Sequence, residues 1–260
     1  MSHLPRTGKR APKGAKSKTI AGSSTEGAVY QNAEELWKQV GEEDLYSDKG
    51  WYGKSLQYWE KIPPTVNGVL GGMEHVHDSD IKESEAFIRS LPSRGEGRAL
   101  DCGAGIGRIT RHLLLRLYSV VDLLEPVGKM LDQAKLELSA PDSSGHQVGH
   151  FYQTSMEKHT PEEKYDLVVI QWAAIYLTDD DFVKVFKQYK ESLTENGYIF
   201  FKENCSSQES FLVDCDDSSL TRSDKHYKQL FERAGVRVVK EAFQKDWPNN
   251  LMKVKMYGLK

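Results

Sequence analysis

Cysteine is scarce in this chain of 260 residues. Cys102, Cys205 and Cys215 are the only three, and no two of them form a CxxC pair. An odd count without paired spacing excludes a disulfide scaffold and fits a reducing compartment. Long apolar runs are missing too. None approaches the roughly 20 residues that a bilayer-spanning helix requires, so no membrane partner is expected. The N-terminal stretch is basic and rich in Pro, Gly and Ser but has no apolar h-region, so it does not read as a secretory signal. No P-loop or serine-hydrolase elbow is present. With 38% hydrophobic and 28% charged positions, the composition is that of neither a disordered chain nor a collagen. These exclusions leave a soluble protein of the cytoplasm, the nucleus or both, able to bury a sizeable core in one domain.

No acid precedes Glu26, whereas Arg6, Lys9, Arg10, Lys13, Lys16 and Lys18 are all basic. The formal charge of −3 therefore hides an asymmetry: without those six, 29 basic residues face 38 acidic ones, a balance of −9. A body of that sign is unsuited to direct nucleic-acid binding. Residues 1–28 read as a disordered basic tail, with a localisation signal or a nucleic-acid arm as the alternatives. Residues 29–260 read as one domain, in which 29–92 form a helical extension and 93–260 the core.

Within the extension, NAEELWKQV and WYGKSLQYWEKI are amphipathic helical stretches. The second ends at Ile62-Pro63-Pro64-Thr65, since a residue before proline is pushed out of the helical region. Gly68, Gly71 and Gly72 make a flexible turn, and DIKESEAFIRSL after Ser79 reads as a further helix. Beyond Arg98, the apolar runs ALDC, SVVDLLE, HFYQT, YDLVVIQW and GYIFFKE alternate with the helical stretches RITRHLLLRL, KMLDQAKLEL and DDDFVKVFKQYKESL. Helix SDKHYKQLFERAG and the runs VRVVKEAF and MKVKMYGL close the chain. Continuous apolar strands alternating with helices imply an α/β fold with a parallel sheet covered on both faces. The last two strands, joined by a short turn at Pro248-Asn249-Asn250, must run antiparallel to each other.

The most informative segment is Leu100-Asp101-Cys102-Gly103-Ala104-Gly105-Ile106-Gly107-Arg108, which follows a strand and opens a helix. Glycines there permit positive φ and close approach of a ligand to the backbone. The spacing is GxGxG, not the GxGxxG of dehydrogenases, and Asp101 stands just before it. Glu125 ends the next strand, where an acid can take both ribose hydroxyls of an adenosine. Asp101 would repel a pyrophosphate but suits a cationic, amino-acid-bearing ligand. S-adenosylmethionine (SAM) is such a ligand, and Arg108 is suited to pair its carboxylate. SAM is thus favoured over NAD, and a ligand-free structural turn remains the alternative. Met156-Glu157 after the third strand and Gln171-Trp172 at the end of the fourth lie where such sheets bind ligands.

A wider set of residues carries a resemblance. Trp59, Ile62-Pro63-Pro64-Thr65-Val66, Leu70-Gly71-Gly72, the glycine loop through Thr110, Ile170-Gln171-Trp172 and Asp217-Ser218-Ser219 together resemble the protein α-N-terminal methyltransferases. These methylate the terminal amine of Xaa-Pro-Lys/Arg proteins with SAM, leaving S-adenosylhomocysteine. The resemblance runs from about Trp51 to Lys260. It implies a class I, Rossmann-like, seven-stranded and mostly parallel sheet, with the N-terminal helices over a peptide channel and a monomer as the family default. By motif matching it implies SAM contacts from Gly103, Arg108, Glu125, Met156, Glu157 and Gln171. Peptide contacts would come from Trp59, Leu70, Gly71, Trp172, Asn204, Asp214, Asp217 and Ser219, with a one-residue gap needed to match Asp214.

The chemistry fits such roles. Trp59 and Trp172 offer flat apolar walls for a proline ring, and Asp214 and Asp217 suit a third-position Lys or Arg. Relatives commonly carry a histidine, proposed as a base, five residues after the glutamine of IQW; this chain has Tyr176 there. A phenol of pKa near 10 accepts a proton poorly at neutral pH. Deprotonation is therefore assigned to Asp217, with Asn204 orienting the amine and Tyr176 as hydrogen-bond partner. Two alternatives stay open: a methyltransferase for a small amine, and a SAM- or peptide-binding protein with little turnover. His75 and His77 read as surface histidines rather than metal ligands. Asp179-Asp180-Asp181 after Thr178 reads as a helix cap. Ala11-Pro12-Lys13 is internal, so self-methylation is not expected.

Overall fold

The apolar runs beyond Arg98 become strands of one sheet because each is long enough to cross a core and too short for a buried helix. The structure, a computed structural model, describes residues 19–41, 45–139 and 146–260. Along the chain the strands are β1 (Gly22–Ser24), β2 (Val29–Tyr30), β3 (Arg98–Cys102), β4 (Val120–Leu124), β5 (Gln147–Tyr152), β6 (Tyr165–Gln171), β7 (Leu193–Cys205), β8 (Phe211–Asp214), β9 (Ser219–Thr221), β10 (Val238–Phe243) and β11 (Lys253–Leu259). The α-helices are α1 (Ala33–Val40), α2 (Trp51–Lys61), α3 (Val66–Val69), α4 (His77–Arg89), α5 (Arg108–His112), α6 (Gly128–Glu137), α7 (Asp179–Glu191) and α8 (Asp224–Ala234).

Seven strands form the main sheet in the order β10-β11-β7-β6-β3-β4-β5. Strands β7, β6, β3, β4 and β5 run parallel, while β11 is antiparallel to both β7 and β10. This is the expected class I architecture with its antiparallel closing pair. One face packs an aromatic cluster in which Phe182, Phe186, Phe201, Tyr227, Phe231 and Tyr257 lie within ring contact. Phe87, Ile88 and Leu113–Leu115 cover the other. Fully burying one such side chain contributes roughly 1.5–3 kcal/mol, so these two layers hold the strand ends in place.

Three expectations need correction. The proposed tail ends too late: Gly22–Ser24 is a strand, parallel to Phe211–Asp214, with Ile20 and Tyr30 buried. Pairing with β8 satisfies the backbone of this segment, which composition alone does not reveal. Residues 1–18 lie outside the described residues. Secondly, β8 and β9 form a hairpin that, with β1 and β2, makes a second sheet of order β2-β1-β8-β9. Its strands are too short to give a periodic signal. Thirdly, RITRHLLLRL is not one helix. It leaves the α conformation at Leu113 and continues as a 3₁₀ turn over Leu114–Arg116, with Leu113, Leu114 and Leu115 all buried.

The acidic run after Thr178 does begin a helix, with the Thr178 side chain accepting from the Asp181 N–H. Asp179 also does more than cap. Its carboxylate accepts from Arg222 at 2.7 Å and contacts His226 Nε2 at 2.8 Å, pinning α7 to α8. Burial disfavours its charge, but Arg222 and His226 outweigh that and hold its pKa well below the usual range.

Candidate active site

The glycine loop turns back over the end of β3 with Gly103, Gly105 and Gly107 at φ 69°, 56° and 74°. Only glycine adopts this region at low cost. At Gly103 a Cβ would also stand 2.5 Å from the Cβ of Ala173. The loop is tied to the next strand end by the N–H groups of Gly103 and Ala104, which donate to the Leu124 carbonyl at 2.8 and 3.1 Å. Glu125 completes the tie: Gly105 N donates to Oε2 at 2.9 Å and Val127 N to Oε1 at 2.8 Å. Burial lifts the Glu125 carboxyl to about 7 against the pull of those two N–H groups. Asp101, buried at the foot of the loop, accepts from Thr110 at 2.7 Å, and burial raises it to about 6.

A crevice opens above these strand ends. Gly103, Arg108, Glu125, Met156, Glu157 and Gln171 all line it, as do Trp59, Trp172 and Tyr176. Glu157 accepts from the Ser155 hydroxyl, and burial raises its pKa. Gln171 is buried, and its Oε1 has no hydrogen-bond partner. Trp172 has φ 51°, a left-handed backbone that costs a bulky residue on the order of 1–3 kcal/mol. Its N–H donates to the Lys202 carbonyl at 3.0 Å, and its ring lies 5.9 Å from that of Trp247. Helix α2 closes the opposite side. Trp51 Nε1 donates to the Tyr176 carbonyl at 2.6 Å and Tyr52 to Asp181 at 2.6 Å.

The remaining expected residues sit beside the crevice, not in its lining. Asp214, Asp217 and Ser219 belong to the β8–β9 hairpin, which packs on the Ala174–Tyr176 turn beside the crevice and is tied to it by Tyr176, which donates to Asp217 Oδ2 at 3.2 Å. Ser219 N donates to the other oxygen at 3.0 Å. Burial is the largest influence on Asp217 and raises its pKa, aided by the charge of Asp214 and opposed by Ser219 and Tyr176. The Tyr176 phenol is pushed well up by burial and the Asp217 charge, and Trp59 stands edge-on to its ring at 6.2 Å. Leu70 is buried just after α3, and Gly71 follows it at φ 59°. Asn204 lies near the end of β7. Its N–H donates to Glu203 and its carbonyl accepts from Tyr227.

Two residues under the crevice escaped the sequence analysis: Asp80 and Lys202, both without exposed surface. A signal existed for each. Lys202 interrupts the apolar run GYIFFKE, and Asp80 falls on the same helical face as Ile81, Ser84, Phe87 and Ile88.

Sheet order, a glycine loop at the end of β3 and an acid at the end of β4 define a class I SAM-dependent methyltransferase. The residues fit that cofactor: a backbone cradle in which Gly103 has no room for a Cβ, a carboxylate held by its own turn, and an unpartnered buried amide oxygen on a crevice-lining residue. The family described as AdoMet dependent proline di-methyltransferase matches residues 47–260, and the chain belongs to it. It is 39% identical over 251 residues to alpha N-terminal protein methyltransferase 1 of Arabidopsis thaliana, covering 92% of this chain and 91% of that one. Identity to N-terminal Xaa-Pro-Lys N-methyltransferase 1-B of Xenopus laevis is 34% over 216 residues, covering 81% and 95%. The solved structure of a SAM-dependent methyltransferase from Leishmania major superposes with a TM-score of 0.89 at 58% identity, covering 96% of this chain and all of that one. No described helix is long and apolar enough to cross a membrane.

Proposed function

We propose that this chain methylates the α-amino group of proteins whose N-termini read Xaa-Pro-Lys or Xaa-Pro-Arg, with SAM as donor. The observation that carries the substrate is the hydrogen bond from Tyr176 to Asp217, which joins the acidic β8–β9 hairpin to the cofactor crevice. The names of the relatives point to the same substrate class.

SAM, when bound, supplies an electrophilic methyl group on a sulfonium. The chain's own residues hold and prepare the nucleophile. A terminal amine has a pKa near 7.7–8.0, so roughly a tenth to a fifth is neutral at pH 7. Asp217, its pKa raised by burial, takes up the proton of the remainder. Asn204 orients the amine, and Tyr176 fixes Asp217 by donating to it. Trp59, Trp172, Leu70 and Gly71 enclose the second-position proline, while Asp214 and Ser219 receive the third-position Lys or Arg. Gly103, Arg108, Glu125, Met156, Glu157 and Gln171 hold the cofactor. Alignment of amine and methyl supplies most of the acceleration. A monomer working in the cytoplasm, the nucleus or both completes the proposal.

The test is incubation of the full chain with SAM and synthetic peptides beginning Ser-Pro-Lys or Pro-Pro-Lys, read by mass spectrometry. One or more methyl groups on the free-ended peptides, and none on their N-acetylated counterparts, is the expected result. Uptake of SAM and peptide without methyl transfer would leave a binding protein. Transfer to small amines but not to peptides would sink the substrate assignment.

A further inference from the structure

One buried carboxylate gathers three of the groups at the crevice floor. Asp80 projects from α4, and its Oδ1 contacts Lys202 Nζ at 2.5 Å while its Oδ2 pairs with Arg108 at 2.8 Å. Gln171 Nε2 donates to both oxygens at 2.9 Å. Lys202 also donates to the Ser84 hydroxyl at 2.9 Å. Burial works against the charge on Asp80, but Lys202 and Arg108 outweigh it, so the carboxyl stays below its ordinary pKa and ionised.

Two consequences follow. A carboxylate accepts and cannot donate, so the Gln171 amide must turn its NH₂ toward Asp80. Its Oε1 is thereby left buried and without a partner, on a residue that lines the crevice. Asp80 also faces two cations at contact distance, and no other acid among the described residues forms an ion pair with either. Arg108 thus has one carboxylate at contact distance, with the charge of buried Asp101 acting on it from farther off, and keeps donors for a further anion.

We propose that Asp80 is the positioning residue for the amino-acid end of the cofactor. It holds Arg108 against the crevice wall as a partner for the cofactor's carboxylate, and it orients Gln171 so that Oε1 accepts from the cofactor's ammonium. This rests on the SAM reading of the crevice, and it assigns to the α4 helix of the N-terminal extension a part in cofactor selection.

The test compares two ligands that share the thioether and adenosine but differ in the amino-acid portion: S-adenosylhomocysteine, which has it, and 5′-methylthioadenosine, which lacks it. Calorimetric titration of full-length Asp80→Asn is expected to weaken the first by tenfold or more, on the order of one lost charge-assisted contact. The second should keep its wild-type affinity. Asp80→Glu keeps the charge but carries it one methylene away from its place between Arg108 and Gln171, and should show the same selective loss. It decides the matter if Asp80→Asn does not fold. Equal weakening of both ligands, or of neither, overturns the proposal. A wild-type chain that takes up neither ligand would instead remove the cofactor reading itself.

Discussion

The two sides of the crevice are built by different means. On the cofactor side, the glycine loop and Glu125 sit at the ends of adjacent parallel strands, and consecutive backbone N–H groups lock them together. On the acidic side, β8 and β9 lean on β1 from the far end of the chain, and side chains, among them Tyr176 to Asp217 and Arg222 to Leu177, tie them to the crevice. The first arrangement is local and redundant. The second depends on pairing between segments almost two hundred residues apart. Chemistry common to a whole class of enzymes is thus set in the sheet, while the residues proposed to choose the substrate sit on an appended layer, and changes on the two sides should separate in what they disturb.

The sharpest separation is expected at Asp217. Asp217→Asn removes the proposed proton acceptor while preserving volume, and turnover should fall on the order of 10²-fold or more, the usual scale for a positioned base. Because burial raises the Asp217 pKa, the wild-type carboxylate is lost on acidification earlier than an ordinary aspartate would be. The variant should therefore lack that acidic limb and keep only the titration of the substrate amine. Normal turnover from about pH 6 to 9 would transfer the proton elsewhere. Affinity for S-adenosylhomocysteine should not change.

Gly103→Ala tests the other side. Its φ of 69° and the 2.5 Å approach to Ala173 leave no room for a Cβ. Holding a non-glycine residue there costs about 1–3 kcal/mol, or between roughly fivefold and a hundredfold in S-adenosylhomocysteine affinity if the loop opens. Peptide binding, measured separately, should move far less. Equal losses for both ligands would mean that the two sides are one cooperative unit.

These two sides were not equally legible in the sequence. GxGxG between an apolar run and a helix, with Glu125 ending the next run, encodes backbone geometry directly, so cofactor and sheet could be read from spacing. Asp214, Asp217 and Ser219 occupy strands of three or four residues, where a period of two has no room to show. Their place came only from resemblance. The partner strand Gly22–Ser24 reads as tail because Gly and Ser carry no hydrophobic pattern, although Phe211 needs a small residue opposite it. Asp80 and Lys202 are the reverse case. Charges in apolar patterns announced something, but not which other charge they would meet.

Gly22→Val probes that pairing, with a smaller expected effect. A Cβ at Gly22 would lie 2.2 Å from the Phe211 ring, which is buried between Tyr30 and His226. Overpacking of this kind costs about 1–3 kcal/mol. Strand β1 should detach, raising the peptide KM several-fold while S-adenosylhomocysteine affinity holds. An unchanged KM would show that the hairpin keeps its shape without its N-terminal partner.

The smallest effect on turnover is expected at Glu203, which stands between the two sides. Its carboxyl is fully buried; Oε1 accepts from Asn204 N at 2.8 Å, and Oε2 has no partner. Burial raises its pKa from 4.5 to about 8, against the backbone N–H groups and the Arg222 charge. Over that interval the folded chain holds more protons here than the unfolded one, so this group's contribution to stability falls as pH rises and levels off above about 8. Glu203→Gln keeps an acceptor for Asn204 and removes the ionisation. Its Tm should stay close to wild type near pH 5 and exceed it near pH 9, where the wild-type carboxyl is ionised at a cost to the fold. A variant less stable than wild type at alkaline pH would mean that Glu203 is ionised in the fold and paired with Arg222, joining the hairpin to the sheet by charge as well as by the Tyr176–Asp217 bond.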